Sequence, residues 1–181
     1  MIDPEQNIQS AVEELRRVEA VITALTGLPS NWNGSVSLHI APGWRGTKPF
    51  ECAILLDVDR QVLDVRWRTQ IHEMLHAHSV GYNRSAFDDF PGWEEGVVEK
   101  LQRPLRRQVL ERLGITIPDP VFAEEEERHT FNPYIAALEI LFRLARQPVE
   151  SEIDFYVTLL STPISQRVMR MIGRGKTVAA R

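Results

Sequence analysis

The clearest chemistry in this chain sits in five consecutive residues, His72-Glu73-Met74-Leu75-His76, where two imidazoles stand four positions apart with a carboxylate directly after the first. On a helix, residues four apart lie one turn apart on the same face, so both imidazoles can reach a single ion. Zn2+ takes neutral imidazole readily, and a divalent ion raises the acidity of a water beside it until that water ionises near neutral pH. Glu73, offset from both histidines along the same turn, is placed to take that proton. The spacing therefore predicts zinc-assisted hydrolysis, with His72 and His76 as ligands and Glu73 as general base. Met74 and Leu75 are expected to face the core. The bland alternative is a chance pattern on an ordinary helix.

A catalytic zinc needs a third protein ligand and an open position. Ser79 and Tyr82 stand where a metzincin has Gly and His, and the single cysteine, Cys52, excludes a cysteine-rich zinc ribbon. A downstream carboxylate remains, and Gly92-Trp-Glu-Glu-Gly-Val-Val-Glu-Lys-Leu101 offers Glu94, Glu95 and Glu99. Glu99, one helical turn after Glu95, reads either as an acceptor that orients a ligand imidazole or as a plain surface carboxylate.

Eighteen residues separate His76 from Glu95, with Trp93 shortly before it and Gly96 after it. In these features the chain resembles the aminopeptidase-type gluzincins, a group of zinc metallopeptidases, and the resemblance implies Glu95 as third ligand with Glu94 as its rival. A second match follows: Pro133-Tyr134-Ile-Ala-Ala137-Leu-Glu-Ile140-Leu141-Phe-Arg-Leu144 is similar to a helix that opens, in that group, with an oxyanion-stabilising tyrosine. Ala137 replaces a glycine and Ile140 a leucine. The resemblance thus implies Tyr134 as electrophilic helper, against the plainer reading of a half-buried tyrosine at a helix start. The likeness covers roughly residues 50 to 145 and implies a zincin-like core.

One expected segment is missing. Aminopeptidases of this type carry Gly-x-Met-Glu-Asn on the strand before the zinc helix, and Gly46-Thr-Lys-Pro-Phe-Glu-Cys52 lacks it. That argues for a minimal core cutting internal bonds of a peptide or protein substrate. The rival from another class is a latent or catalytically silent gluzincin-like protein acting as an interaction or effector module.

These residues need a scaffold, and 181 residues with 43% hydrophobic content suffice for one domain with a buried core. The expected class is α+β: an N-terminal helix within residues 1–30, a small sheet over the zinc-binding helices within 35–103, and a helical subdomain over 104–181. Val12, Leu15, Val18, Ile22 and Leu25 recur at helical spacing from Asp3, the expected cap, and Pro4, closing near Gly27. Ser35 to Ile40 alternates, and Glu51 to Asp57 is a short apolar run that holds Cys52 as core filler, so two or three strands are expected. Helices are then predicted from after Asp64 to His78, from Pro91 (capped by Asp88 or Asp89) to before Pro104, over Leu105 to Leu113, and from Pro133 to about Arg146 with Asn132 as cap. A loop joins the last two through Pro118 and Pro120. Helical text resumes over Ser151–Leu160 and Pro163–Ile172, before a frayed tail from Gly173.

The remaining groups read as ordinary. Glu124 to Glu127 looks like a solvated helix start, His78 points to another helix face, and His39 lies in a strand; His129 reads either as a donor to an oxyanion near the site or, more plainly, as a surface histidine beside those four glutamates. Arg167, Arg170, Arg174, Lys176 and Arg181 form a basic tail without interleaved acid, which fits a solvated helix end. A net charge of −4 gives no reason to expect a nucleic-acid partner, and no stretch has the ~18 apolar residues of a membrane span. A cytoplasmic location is expected from Met1-Ile-Asp-Pro-Glu-Gln, which has no basic-then-apolar leader pattern.

Overall fold

A computed structural model describes residues 4–39, 46–47, 53–57, 63–145 and 150–179. The chain is mostly helical with a small sheet, an α+β architecture. Its elements are α1 (Pro4–Thr26), β1 (Val36–His39), β2 (Gly46–Thr47), β3 (Ile54–Asp57), α2 (Arg66–His78), α3 (Arg84–Asp89), α4 (Pro91–Leu113), α5 (Pro120–Glu127), α6 (Asn132–Ala145), α7 (Glu152–Leu160) and α8 (Arg167–Ala179). Asp3 and Cys52, assigned above as cap and core filler, lie outside the described residues. Among the described residues no helix is long and apolar enough to cross a membrane.

The chain divides into two compact units, Met1–His78 with Arg106–Glu124, and Ser79–Leu105 with Glu125–Arg181. In the first, β3 is the central strand of the order β1-β3-β2, parallel to β1 and antiparallel to β2. Ile54 and Leu56 are fully buried with Leu55 less so, the alternation a pleated strand imposes. Helix α1 buries Ala11, Leu15, Val18 and Ile22, a stripe whose large members stabilise by about 1.5–3 kcal/mol each. It closes at Gly27, which at φ 70° takes a conformation most side chains resist. Helix α1 packs on α2, and α2 in turn meets β2 and β3. The rotation of α2 is pinned at its start by Glu14 of α1, which accepts from Arg66 Nη2 at 2.7 Å and Gln70 Nε2 at 2.7 Å.

In the second unit α6 packs on α8, and Phe142, Phe155 and Tyr156 form an aromatic cluster with Phe155 and Tyr156 fully buried. Ser151 caps α7 by accepting from the Asp154 amide at 3.1 Å.

Several expected boundaries are corrected. Asp88 and Asp89 are not caps but lie inside α3, whose cap is Asn83, accepting from the Ala86 amide at 3.0 Å. The α4 cap position falls on Phe90, whose carbonyl accepts from Trp93 and Glu94, because the residue before a proline resists helical geometry. Helix α4 continues through Pro104 instead of breaking there. A proline in a helix interior costs ~3 kcal/mol, and the fully buried Leu101, Leu105 and Val109 around it offset that cost. Pro120 opens α5 where a loop is expected, so Glu124 to Glu127 end a helix instead of starting one. Asn132 begins α6, and its amide donates to the carbonyls of Glu126 and Glu127 at 2.9 and 3.0 Å. The tail is helical to Ala179.

Candidate functional site

In the first unit every residue of α2 from Trp67 to His78 is buried. His72, Glu73 and His76 are 7%, 6% and 2% exposed, and the two imidazoles stand edge-on with centroids 5.0 Å apart. Helical spacing places them as the sequence requires. Met74 and Leu75 are fully buried, as expected of core positions. His78 closes the far end of α2: its Nδ1 lies 2.8 Å from the Met74 carbonyl, which can only accept, so Nδ1 carries the hydrogen and Nε2 accepts from the Thr23 hydroxyl at 3.0 Å. Burial lowers the His78 pKa, against a smaller upward pull from the Met74 carbonyl and Glu19. Bonds to α1 at both ends of α2 thus hold the His-Glu-His turn in one rotation.

In the second unit the three candidate carboxylates, close in sequence, have different surroundings. Glu94 is fully buried and accepts from Arg167 Nη1 and from the Ser79 hydroxyl at 3.0 Å. Arg167 also donates to Ser79 Oγ at 2.6 Å and to the Thr162 carbonyl at 3.0 Å. Glu95 is only partly buried. Glu99, for which a surface role was one reading, has a side chain with no exposure and pairs with Arg103 at 3.1 Å. Arg103 in turn donates to Asn132 Oδ1 at 2.9 Å, joining α4 to the start of α6.

Tyr134 comes close to the Glu95 turn through two glycines of α4. A β-carbon at Gly92 would run into the Tyr134 ring, and one at Gly96 would sit 3.1 Å from Tyr134 Cβ. Gly96, which follows Glu95 in the motif, therefore has a packing role: it lets α6 approach α4. Trp93 meets the Tyr134 ring edge-on at 5.9 Å, and the ring is 41% exposed.

Two expectations about the remaining groups are corrected. His129 is not a surface histidine beside the acids of α5: its side chain is 14% exposed and its Nε2 lies 3.7 Å from Glu99. Arg167 does not belong to a solvated tail but is fully buried. Sequence reasoning missed Arg167 because its acidic partner is 73 residues away and nothing local distinguishes it from Arg170. No protein-family model matches the chain, and neither does any curated protein or solved structure.

Proposed function

We propose that the chain is a zinc-dependent peptidase of gluzincin type with a zincin-like core, acting on internal bonds of a peptide or protein substrate. The observation that carries this reading is the buried turn of α2, where two imidazoles one turn apart flank Glu73 on a helix of fixed rotation. The donor chemistry fits zinc: the imidazole nitrogens of His72 and His76, with a carboxylate oxygen from Glu95 as the resemblance implies, make a catalytic zinc set that leaves one position open. Glu95 is preferred to Glu94 as third ligand because Arg167 and Ser79 already engage the Glu94 carboxylate.

A bound zinc supplies Lewis acidity, making a water easier to ionise and a carbonyl easier to attack. Glu73 accepts the proton of the attacking water as the new C–O bond forms, and then passes it to the amine nitrogen as the peptide C–N bond breaks and the carbonyl re-forms. Tyr134, partly exposed at the start of α6, donates its hydroxyl hydrogen to the oxyanion that develops on the carbonyl.

Zinc measured by mass spectrometry in protein purified without added metal is expected at about one per chain. Glu73→Gln is expected to keep that zinc and to lose peptide hydrolysis by about 10²–10⁴-fold. A metal-free wild type that also fails to take up added zinc overturns the proposal.

A second reading, a latent or catalytically silent interaction module, is favoured by the burial of all three residues of the His-Glu-His turn. Full zinc occupancy with no hydrolysis of any peptide, and a cellular effect unchanged in Glu73→Gln, would select it.

A further inference from the structure

Replacing a buried ion pair by apolar residues of similar volume is often neutral or stabilising, so the fully buried Arg167 and Glu94 call for a role besides stability. Arg167 is held by three partners: the Glu94 carboxylate, the Ser79 hydroxyl and the Thr162 carbonyl. Ser79 donates in turn to Glu94, closing a ring of hydrogen bonds. The planar guanidinium makes this ring directional, since its N–H groups leave in fixed directions that an ammonium does not reproduce. Two consequences follow from position in the chain. Glu94 lies in the first turn of α4 immediately before Glu95, so fixing its side chain fixes the rotation of the turn from which Glu95 projects. Ser79 is the first residue after α2 and the third after His76, so the same guanidinium also holds the chain where it leaves the zinc helix.

We propose that Arg167 is a positioning residue for the metal centre, which through Glu94 and Ser79 sets the direction of the Glu95 carboxylate. This rests on Glu95 being a zinc ligand. It assigns a residue of the C-terminal segment a part in metal binding without making it a ligand.

The test is metal binding by the full chain, with zinc and separately with cobalt(II), in wild type, Arg167→Lys, the charge-neutral pair Glu94→Gln with Arg167→Met, and Glu95→Ala. Circular dichroism confirms folding in each. In folded Arg167→Lys and in the charge-neutral pair, zinc affinity is expected to fall about 10–100-fold. The visible spectrum of bound cobalt, which reports ligand geometry, is expected to change with it. A merely structural role would lower stability and leave that spectrum unaltered in the folded protein. Wild-type affinity and spectrum in either variant, with Glu95→Ala impaired, overturns the positioning role alone. Wild-type affinity in Glu95→Ala overturns the ligand assignment and this inference with it. If Arg167→Lys does not fold, the charge-neutral pair, which leaves no unpaired charge, decides.

Discussion

Helix α4 carries the same kind of ion pair in both its halves, and their surroundings could hardly differ more. Glu99 and Arg103 meet at 3.1 Å, Arg107 and Glu111 at 2.9 Å, both at four-residue spacing. The Glu99 side chain has no exposure, whereas Arg107 and Glu111 are 81% and 61% exposed. The half with Glu99 also holds Glu94 and Glu95 and takes the α6 helix against Gly92 and Gly96. Pair geometry is thus a poor guide to importance. What separates the halves is desolvation, which makes a buried charge costly to leave alone and an exposed one nearly indifferent.

The largest effect is expected from Arg167→Met, which strands the buried Glu94 carboxylate: unfolding in urea should show a loss of about 3–5 kcal/mol, and a small loss would mean that burial is not what distinguishes this half. Next comes Gly92→Ala. Its β-carbon meets the far end of the Tyr134 side chain, which is exposed enough to swing aside, so stability should change little. On the proposed mechanism, peptide hydrolysis should nevertheless fall about 10²-fold, as for a lost oxyanion donor, with zinc binding unchanged. Unchanged kinetics in a folded Gly92→Ala would remove Tyr134 from the proposed mechanism.

A smaller effect is expected where burial is intermediate. Lys100 bonds Glu139 at 2.7 Å and Glu152 at 2.9 Å. Burial opposes the Lys100 charge, but its two carboxylate partners win and raise its pKa; the bond from Lys100 holds the Glu139 carboxyl below its usual 4.5. A carboxyl with a depressed folded pKa contributes stability above the unfolded value and loses it as pH falls through the folded one. The stability difference between wild type and Glu139→Gln should therefore be present at neutral pH and shrink as the solution is acidified below 4.5. It should be modest, since Glu139 is 46% exposed. The smallest effect belongs to Glu111→Ala, which should leave the denaturation midpoint within measurement scatter. A clear drop there would erase the contrast between the two halves.

Much of the scaffold was legible because hydrophobic periodicity and proline act locally. The α1 stripe, the start of α2 after Asp64, the Pro91 start of α4 and the helical stretch from Ser151 to Leu160 were all readable from neighbouring residues. Local rules failed where distant packing outweighed them. Pro104 should have ended a helix, and the burial of Leu101 and Leu105 carried it through. Asp88 and Asp89 were expected to cap the helix that opens at Pro91, but both lie inside the short helix α3, which leaves Phe90 at that position.

The sequence by itself determined the turn of α2, because helical spacing alone puts His72 and His76 on one face with Glu73 beside them. It also determined that Glu94, Glu95 and Glu99 fall within two turns of α4. Which of these carboxylates bonds Arg167, which meets Arg103 and where Tyr134 comes to rest were decided only by the tertiary structure. The physical reason is that a carboxylate's role depends on desolvation and on donors 4 to 73 residues distant, and no local pattern records either.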